Sequence, residues 1–332
     1  MPAQSPPPRP FEVTLEAWNC AVCGADDTRP YRPGMYAIGE VRFDLVRCRR
    51  CGLVYTNPRP DGPTLGRMYD DPDYYTHGYN LGVESDNYFD RQDELLEQYD
   101  AEVAAIEKQC GLDPKQSPAM LELGSAGGFF LEAARRRGWR VQGVELSPPA
   151  ARYSIDELKL PVFQGLLEDA PFDPESFDVC VADNVLEHTT SPSTVLADLR
   201  RLLRPGGHLL VVVPSYVNSG FFRAFLSARR WLPKRLLGDQ LLRLLKMDEH
   251  HDGGYPYHIL EFHRPTLLRL LGEANFEQVS VQGSVPYPAH LFKQAHPSLV
   301  QRVLRTAFRS ANLLMRARLA PPARLRALVR RP

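Results

Sequence analysis

Between residues 119 and 213 the chain switches repeatedly between two hydrophobic rhythms. Short apolar runs read as buried strands at Ala119 to Leu123, Arg140 to Val144, Pro161 to Gln164, Phe177 to Ala182 and His208 to Val213. Between them, apolar residues recur at three- and four-residue spacing, which predicts helices from about Phe129 to Arg137, from near Pro148, and over roughly Ser193 to Leu203. Strands that alternate with helices predict a parallel sheet covered on both faces, an α/β fold. The punctuation agrees. Gly138 stops the first helix, Ser147 is an N-cap with proline in the turn behind it, and Pro205-Gly206-Gly207 leads into the last strand.

The same pattern organises the flanks. Leu95, Leu96, Tyr99, Val103 and Ile106 line one face of a helix over Asp90 to Lys108. After the fifth strand, residues 215–264 interrupt the alternation. Within them Phe221 to Lys246 is amphipathic and basic, and reads as a cap over a substrate or as extra core-packing helices. A helix over Pro265 to Ala274, a strand over Glu277 to Val281 and a closing antiparallel strand over Val285 to Phe292 follow. Pro297 to Pro332 reads as a basic amphipathic helical tail. The expected division is a disordered Pro-rich tail at 1–15, a ribbon at 16–60, and a linker and helix bordering the active site at 61–118. The main domain is expected at 119–296, with the cap inside it, and the basic tail at 297–332.

Composition changes little here, but charge distribution does. The net charge is zero, yet Pro297 to Pro332 carries nine arginines and no acid, whereas Glu84 to Glu107 carries nine acids. Such asymmetry suggests an anionic partner or surface. No run of about 18 apolar residues is present, which argues against a spanning helix, and the first residues lack the apolar core of a signal peptide. The expected location is cytoplasmic, with peripheral contact at the inner face of a membrane through the basic tail.

Four of the six cysteines form two Cys-x-x-Cys-Gly knuckles, Cys20/Cys23 and Cys48/Cys51, separated by 24 residues. Without an export signal this suggests metal rather than disulfides. Four thiolates leave a tetrahedral Zn2+ no open position, so Cys20, Cys23, Cys48 and Cys51 are expected to hold a structural zinc.

The candidate chemistry sits at the first strand's end, Leu121-Glu122-Leu123-Gly124-Ser125-Ala126-Gly127-Gly128. A strand, a turn of small residues and a helix N-terminus let backbone approach a nucleotide-type cofactor. Two acids narrow the choice. Glu145, at the tip of the neighbouring strand, is placed to accept hydrogen bonds from both hydroxyls of a ribose. Glu122, inside the strand end, opposes a pyrophosphate and favours a cofactor carrying an ammonium group.

With these residues the chain resembles the class I S-adenosylmethionine-dependent methyltransferases. The resemblance is carried by Leu121 to Gly128, Glu145, Phe177-Asp178-Val179, Asn184-Val185-Leu186-Glu187-His188 and Leu203-Arg204-Pro205-Gly206-Gly207, in that order. It covers about Ala119 to Phe292. The front of the chain is similar to a bacterial glycan and natural-product subgroup that opens with a four-cysteine ribbon ending in Asn57-Pro58-Arg59-Pro60. The resemblance implies a Rossmann-like sheet of seven strands with helices on both faces, preceded by a small zinc ribbon. It implies that Glu122 orients the methionine ammonium, that Gly124, Ser125, Ala126 and Gly128 pass beside the methionyl part, and that Glu145 and Leu146 border the ribose. Glu168 and Asp169 would border the adenine, and Ala182 and Asp183 would lie under the sulfonium. Two positions depart from the family pattern. Ala126 replaces a glycine, which is tolerable at negative φ, and Leu166 replaces an adenine-binding Asp.

The expected reaction is methyl transfer to a small molecule, O-methylation of a sugar, glycan or lipid-linked intermediate, with His188 and His258 as catalytic bases suited to neutral pH. For His188 the competing role is a structural histidine that hydrogen-bonds its loop. Two other readings compete. An RNA methyltransferase would grip phosphate with the ribbon and the tail, although the acidic segment disfavours nucleic acid. A non-catalytic zinc-ribbon scaffold would bind no cofactor.

Overall fold

The computed structural model describes residues 12–69, 88–215, 218–219, 256–284 and 299–332. The expected cap and the expected strand over Val285 to Phe292 fall largely outside these residues, as does most of the expected N-terminal tail.

The main sheet has seven strands. Strands β6 (Ala119–Leu123), β7 (Arg140–Glu145), β8 (Val162–Gln164), β9 (Phe177–Asp183) and β10 (Leu203–Pro214) form its parallel part, in the spatial order β8-β7-β6-β9-β10. Helices α3 (Phe129–Arg136), α4 (Pro148–Asp156) and α5 (Pro192–Leu202) connect them. Every residue of β6 is buried, as a strand covered on both faces requires. The order reverses beside β6, between β7 and β9, so the carboxyl ends of these strands flank a crevice, the place where open α/β sheets bind ligands.

The far edge departs from expectation. The sheet is completed by β12 (Glu277–Ser284) and by β13 (Arg324–Arg330), which runs antiparallel between β10 and β12. The last residues of the expected helical tail are therefore a central strand. Helix α7 (Leu299–Arg316) precedes it, and Pro321-Pro322 separates the two. Leu325, Ala327, Leu328 and Val329 are buried in the core.

Arginines of this end are spent inside the protein. Arg326 pairs with Glu102 at 2.6 Å, Arg330 with Glu277 at 2.7 Å, Arg331 with Glu175 at 2.7 Å, and Arg324 with Asp183 at 2.9 Å. Glu102 lies on α2 (Gln92–Cys110), the acidic helix. The basic and acidic stretches thus partly neutralise each other, which weakens the inference of an external anionic partner.

The ribbon is a second, four-stranded sheet. Strands β2 (Thr28–Ile38), β3 (Val41–Cys48) and β4 (Val54–Thr56) form an antiparallel meander. Its fourth strand comes from the other half of the chain: β11 (Leu260–Glu261) pairs with β4, Leu260 opposite Tyr55. Phe43, Leu45, Leu53, Val54 and Tyr55 share one apolar cluster with Ile259, Leu260, Phe262 and the main sheet's Leu121 and Leu123. At the ribbon's end, β1 (Leu15–Glu16) pairs with β5 (Arg59–Pro60), so Leu15, at the end of the expected tail, is part of a strand.

Candidate active site

The glycine turn after β6 is held by its neighbour strand. Gly124 N–H and Ser125 N–H both donate to the Val144 carbonyl, at 2.8 and 3.1 Å. Ala126 N–H donates to Glu145 Oε2 at 2.7 Å, and Ser147 N–H to Glu145 Oε1 at 2.7 Å. Glu145 is therefore a bracket between the turn and the start of α4 as well as a ligand candidate. Three of the turn's N–H donors are committed to β7, so these amides are not anion-binding groups. Gly124 takes φ +71°, and a Cβ on it would meet Val185 Cγ2 at 2.6 Å, so glycine is required there. Ala126 adopts φ +46°, in the left-handed region, contrary to the expectation of negative φ.

Glu122 is buried, and its Oε2 has no hydrogen-bond partner among the described residues. Burial, reinforced by the charges of Asp183 and Glu145, pushes its carboxyl well above the ordinary range. A buried acid with an orphaned oxygen calls for a cationic donor. An ammonium meets that need, so the residues fit the methionyl end of the cofactor. Asp183, at the end of β9, accepts from Asn184 Nδ2 at 2.9 Å and is bridged by Arg324. Ala182 beside it is buried. Around the turn after β8, Gly165 N–H bonds the Glu145 carbonyl at 3.0 Å, which brings that turn beside the tip of β7. Leu146 and Leu166 are 39% and 49% exposed on these adjoining turns, an apolar pair suited to the faces of an adenine. Glu168 and Asp169 are exposed next to them.

The two histidines converge. His188 follows β9, His258 lies on the segment leading into β11, and their ring centroids are 4.9 Å apart, edge to face. The Ile259 N–H bond to the Glu187 carbonyl, at 3.0 Å, ties the two segments together. His188 Nδ1 is 2.7 Å from the Tyr257 carbonyl, and burial lowers its pKa to about 4. It is therefore neutral at physiological pH and a weak base, which favours the structural role for it. Glu187 beneath it is fully buried.

The four ribbon cysteines also converge. Cys20 and Cys51 sulfurs are 3.4 Å apart, Cys23 and Cys48 sulfurs 3.5 Å, and all four lie within 4.8 Å of one another. Tetrahedral zinc with bonds of about 2.3 Å would set them about 3.8 Å apart, so the donor set fits. The contact with Cys51 pulls the Cys20 pKa down to about 5 and pushes that of Cys51 up, as a thiol–thiolate hydrogen bond does.

Three residues missed by sequence reasoning join these parts. Arg59 is buried, donates to the Thr190 carbonyl and Glu16, and stacks 3.9 Å from the Trp18 ring centre, so it ties the ribbon to the His188 loop. Tyr88 and Phe89 lie against Gly127, where a Cβ would meet their rings at 2.9 and 3.1 Å. The Asn-Pro-Arg-Pro stretch was a visible signal for the first. For the aromatics the only signal was the enrichment in tyrosine between Tyr69 and Tyr88.

Comparison with known proteins finds a methyltransferase domain in this part of the chain. Residues 121–211 match the family described as Methyltransferase domain. The ubiquinone biosynthesis O-methyltransferase of Cereibacter sphaeroides is 32% identical over 129 residues, 36% of this chain and 52% of that protein. The protein of the same name from Azoarcus sp. is 30% identical over 191 residues, 55% of this chain and 73% of that protein. The chain spans about half the length of the first of these relatives. A methyltransferase solved in complex with the Trm112 methyltransferase activator of Haloferax volcanii is similar with a TM-score of 0.47 at 17% identity, over 79% of this chain and 98% of that one. With the domain match at its centre and the Azoarcus relative matched over most of its length, the chain belongs to the class I S-adenosylmethionine-dependent methyltransferases.

Proposed function

We propose that this protein transfers a methyl group from S-adenosylmethionine to a hydroxyl of a small-molecule acceptor, a sugar, a glycan or a lipid-linked intermediate. The observation that carries the reading is the buried Glu122 carboxyl group, whose Oε2 has no partner among the described residues and whose ionised form a bound cation would stabilise, beside Glu145 and Asp183. The name O-methyltransferase on the relatives supports oxygen as the acceptor atom.

Glu122 takes the methionine ammonium. Gly124, Ser125, Ala126 and Gly128 give the methionyl chain a wall of small residues. Glu145, whose oxygens each accept one backbone N–H and each retain acceptor capacity, takes the ribose hydroxyls. Leu146 and Leu166 cover the adenine, with Glu168 and Asp169 at its edge, and Ala182 and Asp183 lie under the sulfonium. The cofactor supplies an electrophilic methyl, so the chain's task is to position and desolvate. The acceptor hydroxyl lies at His258. Its oxygen forms the new bond to carbon as the carbon–sulfur bond breaks, sulfur keeps the electron pair, and the hydroxyl proton passes to the His258 imidazole.

We also infer a structural zinc on Cys20, Cys23, Cys48 and Cys51, and peripheral contact with anionic membrane through α7. There the exposed Leu313 and Leu314 accompany Arg309 and Arg316. Deleting residues 297–332 would not test that contact, because it removes β13. Leu313→Glu in a liposome sedimentation assay does, and unchanged binding would reject it. The RNA reading has lost support through the internal pairing of Arg324, Arg326, Arg330 and Arg331.

The test of the main reading is calorimetry with S-adenosylhomocysteine, followed by transfer of labelled methyl to a panel of hydroxylated sugars, lipid-linked sugars and hydroxylated aromatics. Binding that Glu122→Gln weakens at least tenfold is expected. No binding by zinc-replete wild type would overturn the proposal. Metal analysis should find one zinc per chain, and substantially less in Cys48→Ser.

A further inference from the structure

Asp183, at the tip of β9, belongs to an ion pair that spans the sheet. Arg324 Nη2 donates to its Oδ1 and to its Oδ2, each at 2.9 Å. Arg324 opens β13 opposite Pro214 of β10, and β10 lies between β13 and β9. At about 4.8 Å between neighbouring strands, the guanidinium has to reach across about 10 Å of sheet. It therefore lies over the carboxyl end of β10, on the rim of the crevice. Asn184 supplies a second hold. Its Nδ2 donates to Asp183 Oδ1 at 2.9 Å, and its backbone turns away at φ +55° with its N–H on the Val212 carbonyl. Both Asp183 oxygens thus have donors before any ligand binds. The charge of this pair is felt across the site. Burial pushes the Glu122 and Glu187 carboxyls up, Asp183 pushes both further, and Arg324 opposes that push at Glu187.

We propose that Arg324 is a positioning residue for the methyl donor: it holds the Asp183 carboxylate toward β13 and offsets its charge where the sulfonium binds. This rests on the reading above, in which Asp183 lies under the sulfonium. The reaction removes the charge at that point. As the carbon–sulfur electron pair returns to sulfur, a cation becomes a neutral thioether. A bare carboxylate there would stabilise the bound donor more than the transition state, in which the charge is already dispersed, so it would tighten binding at the expense of rate. A bare guanidinium would repel the donor. The pair avoids both. Recognition is left to groups that meet the unchanging parts of the cofactor, Glu122 at the ammonium and Glu145 at the ribose.

The test is calorimetry on full-length, zinc-replete protein with S-adenosylmethionine and S-adenosylhomocysteine, which differ at this point by the methyl group and its charge. Arg324→Gln should shift the ratio of the two affinities about fivefold or more toward S-adenosylmethionine, and Asp183→Asn by a similar factor toward S-adenosylhomocysteine. The double variant should return to within about twofold of the wild-type ratio, and Arg324→Lys, which keeps the charge, should stay there. Opposite shifts that cancel identify a charge effect, whereas loss of a mere strut between β9 and β13 weakens both ligands alike. Single variants whose ratios stay within about twofold of wild type, or move in the same direction, would overturn the proposal. Should one single variant fail to fold, the direction of the other decides. Failure of the methyltransferase reading looks different, because wild type then binds neither ligand.

Discussion

Replacing Glu145 tests whether this carboxylate builds the site before it binds anything. Its two oxygens accept from Ala126 N–H and Ser147 N–H, both at 2.7 Å, and the residue is buried. A hydrogen bond to a charged group contributes about 1.5–3 kcal/mol net, so losing two costs roughly 3–6 kcal/mol. Removing this charge also relieves its repulsion of Glu122, which offsets part of that loss. The net destabilisation expected for Glu145→Ala is about 2–4 kcal/mol in cofactor-free protein. Glu145→Gln retains one acceptor but sets an amide NH2 against the other N–H, so it should lose about half as much. Urea unfolding of the apo protein, with unchanged m-values, reads the stability term. Calorimetry with S-adenosylhomocysteine reads the ligand term, which should fall by more than the stability change explains. If apo Glu145→Ala unfolds within about 0.5 kcal/mol of wild type, the Val144 carbonyl alone holds the turn and the bracket reading is wrong.

Three further substitutions probe the frame. Ala126→Gly should be neutral or up to about 1 kcal/mol stabilising, because relief of about 1–2 kcal/mol of left-handed strain outweighs glycine's unfolded-state entropy. A loss of 1 kcal/mol in thermal or urea unfolding would contradict the strained turn. Glu107→Gln should cost about 2–3 kcal/mol, since Glu107 takes two bonds from Arg137, at 3.0 and 2.6 Å, and one from Trp139 at 2.9 Å. Those bonds, Arg137 first, hold the Glu107 carboxyl below its ordinary range, so its stabilisation is complete above about pH 5 and fades as pH falls through the folded pKa. The gap between wild type and variant should therefore narrow on acidification, and a constant gap would refute the assignment. Arg326→Glu should destabilise by about 1–3 kcal/mol, and adding Glu102→Arg should restore part of it. A double-mutant cycle with no coupling would show that the β13 arginine is not held by α2.

The alternating half of the chain was legible because burial imposes it locally. Strands β6, β7, β9 and β10 each contain a run of apolar residues that cannot stay in water, and their ends agree with the sequence pattern to within a few residues or, in β10, extend it through the Pro-Gly-Gly turn. The placement of the two strand-end acids was legible for a related reason. Glu122 and Glu145 sit one strand apart at carboxyl ends, and strand register alone brings them together. β13 was not legible. Its arginines at 324, 326 and 330 mask the apolar Leu325, Ala327, Leu328 and Val329, and the acids that neutralise them lie far away in sequence. Ala126 shows the same limit at one residue. Its φ is set by the tether to Glu145, nineteen positions away, and not by its own preference.

The pairing of β11 with β4 bears on how the two halves of the chain depend on each other. The ribbon reads in sequence as an independent module, yet its sheet takes its last strand from the segment that carries His258. Thr56 N–H bonds the Ile259 carbonyl at 3.0 Å, and Ile259 N–H bonds the Glu187 carbonyl, so a single residue, Ile259, bridges the ribbon and the His188 loop. Arg59 adds a second tie to the same loop through the Thr190 carbonyl. The glycine turn after β6 is hydrogen-bonded instead to β7 and to Ser154 of α4. Loosening the ribbon should therefore displace the histidine side and spare the cofactor side. Cys48→Ser or chelation should depress methyl transfer and acceptor protection severalfold more than S-adenosylhomocysteine affinity. Equal loss of both would mean that ribbon and domain unfold as a single unit, and that the coupling runs through the shared apolar cluster rather than through β11.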